Sequence, residues 1–60
     1  MSVDPIEVQK ALKGISYPAG RDEIVETAEQ NEASEEVIES LRSLDDQQYD
    51  GPDEVEEALA

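Results

Sequence analysis

The sequence contains no cysteine and no histidine. Without cysteine there is no disulfide staple, and without either residue there is no zinc centre of the Cys and His kind. The Ser-His and Cys-His pairs of nucleophilic catalysis are excluded for the same reason. Tryptophan and phenylalanine are missing too, and tyrosine occurs only twice, so aliphatic side chains must build most of any core. No apolar run reaches the length of a signal peptide or a membrane span, which leads us to expect a cytoplasmic chain.

Positive charge is the other shortage. Four Lys and Arg stand against 17 Asp and Glu, a net charge of −13. Phosphates are bound through cations that displace counterions, so direct DNA or RNA binding is not expected. Anionic membrane surfaces are disfavoured likewise. The charge promotes solubility and basic partners, and it opposes a compact state through self-repulsion. With 60 residues the chain is one domain, spanning 1–60, and a domain this small buries only roughly 60% of its unfolded surface.

High charge and few aromatics are also the signature of disorder. The placement of the apolar residues argues otherwise, because they recur at helical spacing between stop signals. Asp4 caps a first helix, Pro5 suits its first position, and Val8, Ala11, Leu12 and Ile15 follow the i, i+3, i+4, i+7 rule. Lys10 and Lys13 lie where the helix dipole favours cations, and Gly14 is a natural stop. Pro18 drives Tyr17 out of the helical region. A second helix follows Gly20, a poor cap, with Ile24, Val25 and Ala28 inward and Asn31 at its end. Ser34 caps a third, with Glu35 and Glu36 in its first turn and Val37, Ile38, Leu41 and Leu44 inward. Asp45 to Gly51 reads as a loop, and Pro52 opens a short fourth helix with Val55, Ala58 and Leu59 inward. The pattern predicts helices over about 4–13, 21–31, 34–44 and 52–59, and no strand, since neither sustained alternation nor a hairpin dipeptide occurs. Each helix is too short to stand alone in water. The expected fold is all-α, a compact bundle of four short helices with a helix-turn-helix-like central pair, its core closed by the two tyrosines.

Pro5 to Leu12 and Pro52 to Leu59 match at proline, glutamate, valine, alanine and leucine. We read this echo as two short helices that share a cap and an apolar stripe rather than as a duplication.

Four features could carry function, and each has a plainer reading. Ala28, Ala33, Ser34, Ile38 and Leu41 resemble the spacing of the DNA-binding helix-turn-helix. Its third helix would offer Glu35, Glu36 and Glu39 to phosphates, which is the wrong sign, so two packed helices with a tight turn is preferred. Asp46, Gln48, Asp50, Gly51 and Glu57 fall at positions 1, 3, 5, 6 and 12 of a calcium-binding EF-hand. Asp46, Asp50 and Glu57 are thus cation candidates. Acids are so frequent here that chance alignments are easy, and Pro52 starts a helix too early for such a loop, so solvated loop and cap residues are preferred. The pairs Glu35-Glu36, Asp45-Asp46 and Glu56-Glu57 would need a pocket that shifts their pKa to serve as acid and base, and four short helices leave little room for one. No glycine loop for phosphate is present, and no cofactor and no catalytic residue is expected. The acidity itself fits either adaptation to a salt-filled cytoplasm, where repulsion is screened, or mimicry of nucleic acid. The acids are spread over all four helices, which favours general solvation in salt.

Several strings resemble the family catalogued as domain of unknown function 2795. They are Val8-Gln9-Lys10-Ala11-Leu12-Lys13-Gly14, Tyr17-Pro18-Ala19, Glu23-Ile24-Val25 with Ala28, Glu36-Val37-Ile38-Glu39-Ser40-Leu41, and Tyr49-Asp50-Gly51-Pro52 with Val55. The two tyrosine turns are the most specific. The chain departs from the pattern at Gly20, where a small polar cap is common, and at Asp45 and Asp46, where a Leu-Pro pair is common. The resemblance implies a small stand-alone helical domain of bacteria and archaea, with no catalytic residues to transfer. Together with the acidity it implies a salt-loving source such as a haloarchaeon.

The function expected is that of a non-enzymatic protein-interaction module, met by an unknown protein partner at helix ends, at the Tyr17 and Tyr49 turns, or at Ile6. A homodimer is expected if Ile6, Ile15 or Leu59 stays uncovered. The alternatives are an acidic decoy or regulator of a nucleic-acid-binding protein and a weak cation-binding domain.

Overall fold

A computed structural model describes residues 4–59; positions 1–3 and 60, the ends of the expected domain, lie outside them. Four helices form, and all but the second start where local chemistry satisfies or removes free backbone donors. α1 (Pro5–Ala11) is capped by Asp4, whose carboxylate accepts the Ile6 N–H at 2.9 Å. α2 (Arg21–Gln30) begins after Gly20 with no side-chain cap, as a glycine there dictates. α3 (Glu35–Arg42) is capped by Ser34, whose hydroxyl accepts the Val37 N–H. α4 (Pro52–Leu59) starts at a proline, and Glu54 reaches back to accept the Asp50 N–H at 3.2 Å.

The ends are local too. Gly14 takes φ +86° after α1, a conformation other residues adopt at a cost. At the end of α2 the Glu32 N–H donates to Glu29 and the Ala33 N–H to Ala28, the paired bonds of a Schellman turn. Glu32 occupies the left-handed position of that turn at φ +58°, where glycine is usual. The resulting link between α2 and α3 is four residues long, and the two helices pack closely.

Two expectations are corrected. The fold is mostly helical but also holds a two-stranded antiparallel sheet, β1 (Ala19–Gly20) with β2 (Gln48–Tyr49), in which Ala19 pairs with Tyr49 and Gly20 with Gln48. Three helices are shorter than predicted, α2 by its last residue alone. α1 stops at Ala11 because Leu12 turns out of helical geometry, and α3 stops at Arg42, leaving Leu44 to enter the core from the following turn.

One core gathers residues from every element: Val8, Ala11 and Leu12 from α1 and its cap, Ala19 from β1, Ile24 and Ala28 from α2, Val37 and Leu41 from α3, then Leu44, Tyr49 and Val55. Among the described residues no polar or charged side chain is buried beside Tyr49, whose hydroxyl donates to the Asp45 carbonyl at 2.9 Å. Leucine-sized side chains alone would leave this small centre thin; the tyrosine ring fills it while its hydroxyl stays satisfied.

Candidate interaction surface

The two tyrosine turns meet. Tyr17-Pro18-Ala19 leads into β1, Tyr49-Asp50-Gly51-Pro52 leads out of β2, and the Ala19–Tyr49 register locks them together. The segments that the sequence marks as most distinctive are therefore one structural unit that ties α2 to α4. The profile of the family described as Protein of unknown function (DUF2795) matches residues 3–56. The chain belongs to this family. No curated protein and no solved structure matches the chain.

For this DUF2795 protein the Tyr49 side chain is not a surface on which a partner could land. It is 1% exposed, because the sheet and α4 close over it; only its turn is accessible. Tyr17 is half-buried against the core. Burial pushes its phenol above the ordinary value of 10.0, and the Glu56 carboxylate adds to the shift. Ile15 and Leu59 also pack partly against the core, whereas Ile6 is 60% exposed and, among the described residues, is the large apolar residue left in water. It lies on the side of α1 away from Val8, Ala11 and Leu12, as the helical repeat requires.

All 17 carboxylates of the DUF2795 chain lie in the described region. Every one is exposed except Glu56, which is half-buried. Among the described residues no three Asp or Glu are grouped to hold a metal ion, so Asp46, Asp50 and Glu57 do not converge. The reason is geometric. β2 straightens the chain at Gln48–Tyr49 and α4 begins at Pro52, where an EF-hand loop would still be curling. On α3 the acids Glu35, Glu36 and Glu39 are exposed on the helix that a helix-turn-helix would present.

Two open depressions mark the surface. One of about 240 Å³ lies between α1 and the α2–α3 turn, beside Glu7, Lys10, Asn31 and Ser34. The other, about 430 Å³, lies along α2 beside Arg21, Glu26, Glu29 and Arg42. Both mix the two charges, and in the second Arg42 is already paired with Glu29 at 3.0 Å. No helix among the described residues is long and apolar enough to cross a membrane.

The sequence did not announce two side chains that hold the surface in shape. The sequence marks Asn31 only as the end of α2, yet its amide donates to the carbonyls of Ala11 at 2.7 Å and Lys13 at 3.1 Å, so the end of one helix caps another. Arg21 donates to the Leu44 carbonyl at 3.4 Å and secures the turn after α3. An amide at a helix end is the only signal for the first, and nothing local identifies its partner.

Proposed function

We propose that this protein is a non-enzymatic protein-interaction module adapted to high salt, working in the cytoplasm of a salt-loving microbe. The observation that carries the reading is the separation of its side chains: among the described residues the core holds no charged group, and the carboxylates all reach solvent. Acid–base catalysis relies on a carboxyl whose surroundings disfavour its charge, and carboxylates spread over open surface lack such surroundings. Function then resides in surface recognition, for which Ile6 and the Tyr17 edge are the features that differ from the acidic remainder.

The acidity supports the salt reading. Two ion pairs, Arg21–Asp22 and Arg42–Glu29, offset little of a net charge of −13 among the described residues. Screening shortens the reach of the remaining repulsion to about 3 Å in molar salt. The thermal midpoint should rise by about 5–15 °C between about 0.1 and 2 M potassium chloride. A midpoint that stays flat removes the salt adaptation.

Recognition is tested by affinity capture from native extract at the host's ionic strength, followed by titration of the captured protein against the pure chain. A saturable protein partner is expected. A strongly basic nucleic-acid-binding partner would convert the reading to that of an acidic decoy. Failure to bind any protein, its own second copy included, overturns it.

A further inference from the structure

Cations are scarce in this chain, and two of the four sit together. Lys10 lies in the last turn of α1 and Lys13 just past its end. Both are exposed, and among the described residues both ion pairs use the arginines, so neither lysine is neutralised despite 17 carboxylates in the chain. Ile6, also pointing to solvent, shares the outer side of α1 with them. The helix dipole accounts for cations at this end, but not for the exposed isoleucine beside them.

α4 lies against α1, and Gln9 donates across the seam to the Glu56 carboxylate at 3.3 Å. Beyond that seam α4 exposes Asp53 and Glu57. By the helical repeat, Ile6 and Lys10 of α1 and Asp53 and Glu57 of α4, which flank the touching pair at equal spacing, turn away from the core, so the two helices offer an apolar residue with a cation on one side of the seam and anions on the other. Such a patch is complementary to itself under a two-fold rotation, the commonest symmetry of oligomers.

We propose that this face binds a second copy of the chain. The proposal rests on the interaction reading and names the partner. Ile6 packs near the two-fold axis against the partner's Ile6, and Lys10 and Lys13 face the partner's Asp53 and the partner's Glu57, with the reciprocal contacts completing the ring. A standard interface takes about 800 Å² from each partner, about a fifth of the 4103 Å² surface of this molecule, which one face can supply. Two copies of charge −13 repel at a distance, so association strengthens as salt screens that repulsion, while the apolar contact persists.

Sedimentation equilibrium of the full chain tests this, at about 0.2 and about 2 M potassium chloride and up to about 1 mM protein. The wild type is expected to dimerise, and more tightly at the higher salt. Ile6→Asp should weaken the dimer at least about tenfold, since the contact is used twice, while circular dichroism shows the fold intact. Glu57→Lys separates a specific face from net charge. It lowers the charge from −13 to −11 (−13 + 2), so simple repulsion predicts a tighter dimer, whereas the proposed face predicts one about twofold weaker. Adding Lys13→Glu to Glu57→Lys should restore the wild-type affinity. A wild type that stays monomeric at 1 mM and high salt overturns the dimer, as does an Ile6→Asp dimer of unchanged strength or a Glu57→Lys dimer that tightens. A monomer that still titrates a captured protein leaves the interaction reading standing, so the two failures are distinct.

Discussion

Pro5 to Leu12 and Pro52 to Leu59 share proline, glutamate, valine, alanine and leucine in register, yet the same letters meet different surroundings. Val8 and Val55 are both buried. Three and four residues on, Ala11 and Leu12 are buried, while Ala58 is exposed and Leu59 only half-buried. The difference is tertiary. α1 packs on α2, α3 and α4 and its end is tied down by Asn31, whereas α4 packs chiefly on α1 and β2. An apolar stripe is thus an offer of burial, and it is taken up only where another element arrives. The unshared positions diverge in the opposite sense: Ile6 and Lys10 in α1 correspond to Asp53 and Glu57 in α4, all four exposed. The shared residues keep the helices folded, and the unshared ones make their outer faces opposite in character.

The comparison breaks most directly at its leucines. Leu12→Ala should cost about 2–5 kcal/mol, the usual range for a leucine in a closed core, and in a domain this small that approaches the whole stability. Leu59→Ala should cost less than about 1 kcal/mol, because the side chain already meets water. Urea unfolding in molar potassium chloride followed by circular dichroism measures both. Equal losses would show that the end of α4 is as well covered as that of α1.

A smaller effect is expected at the tie between helices. Asn31→Ala leaves the Ala11 and Lys13 carbonyls without their amide donor and should cost about 1–2 kcal/mol. Amide exchange sharpens the test, since protection should fall around residues 9–15 and hold in α4. Uniform loss of protection would mean that Asn31 supports the whole fold rather than the end of α1.

How much of this was legible in the sequence follows from how far each determinant lies from its partner. Asp4, Pro5 and Ser34 act on backbone within a few residues and mark helix starts correctly, and Asn31 marks the end of α2, whereas Gly14 lies two residues beyond the C-cap of α1. The core stripe was legible by the same periodicity except at Ala58, expected inward and found exposed. The strands were not, because Ala19–Gly20 and Gln48–Tyr49 are two residues each, and no alternation can be read in two residues. Only the long-range register makes them a sheet. Of the candidate surface, Ile6 was legible as an apolar residue outside the helical stripe. The burial of Tyr49 behind its own turn, the reach of Asn31 to α1 and the adjacency of α1 to α4 all depend on distant segments, which periodicity does not encode.

The smallest expected effect joins the two helices through a proton. Tyr17 lies near Glu56, the residue of α4 that corresponds to Gln9 of α1. Burial first, and the Glu56 carboxylate second, hold its phenol above 10.0 in the folded protein. The unfolded chain releases that proton at the ordinary value, and the folded chain releases it later. Below pH 10 both states keep the proton and the stability is fully present. Between the two values the folded state binds more protons than the unfolded one, so stability falls as pH rises, until the folded phenol also ionises. Tyr17→Phe should flatten the part of this decline that Tyr17 causes, visible as a difference between the two proteins in urea midpoints from about pH 9.5 to 11.5. Glu56→Gln, which gives α4 the residue of α1, should remove only the lesser share, because the phenol remains buried. Superimposed curves for wild type and Tyr17→Phe would show that the ring meets water more freely in solution than its place against the core implies.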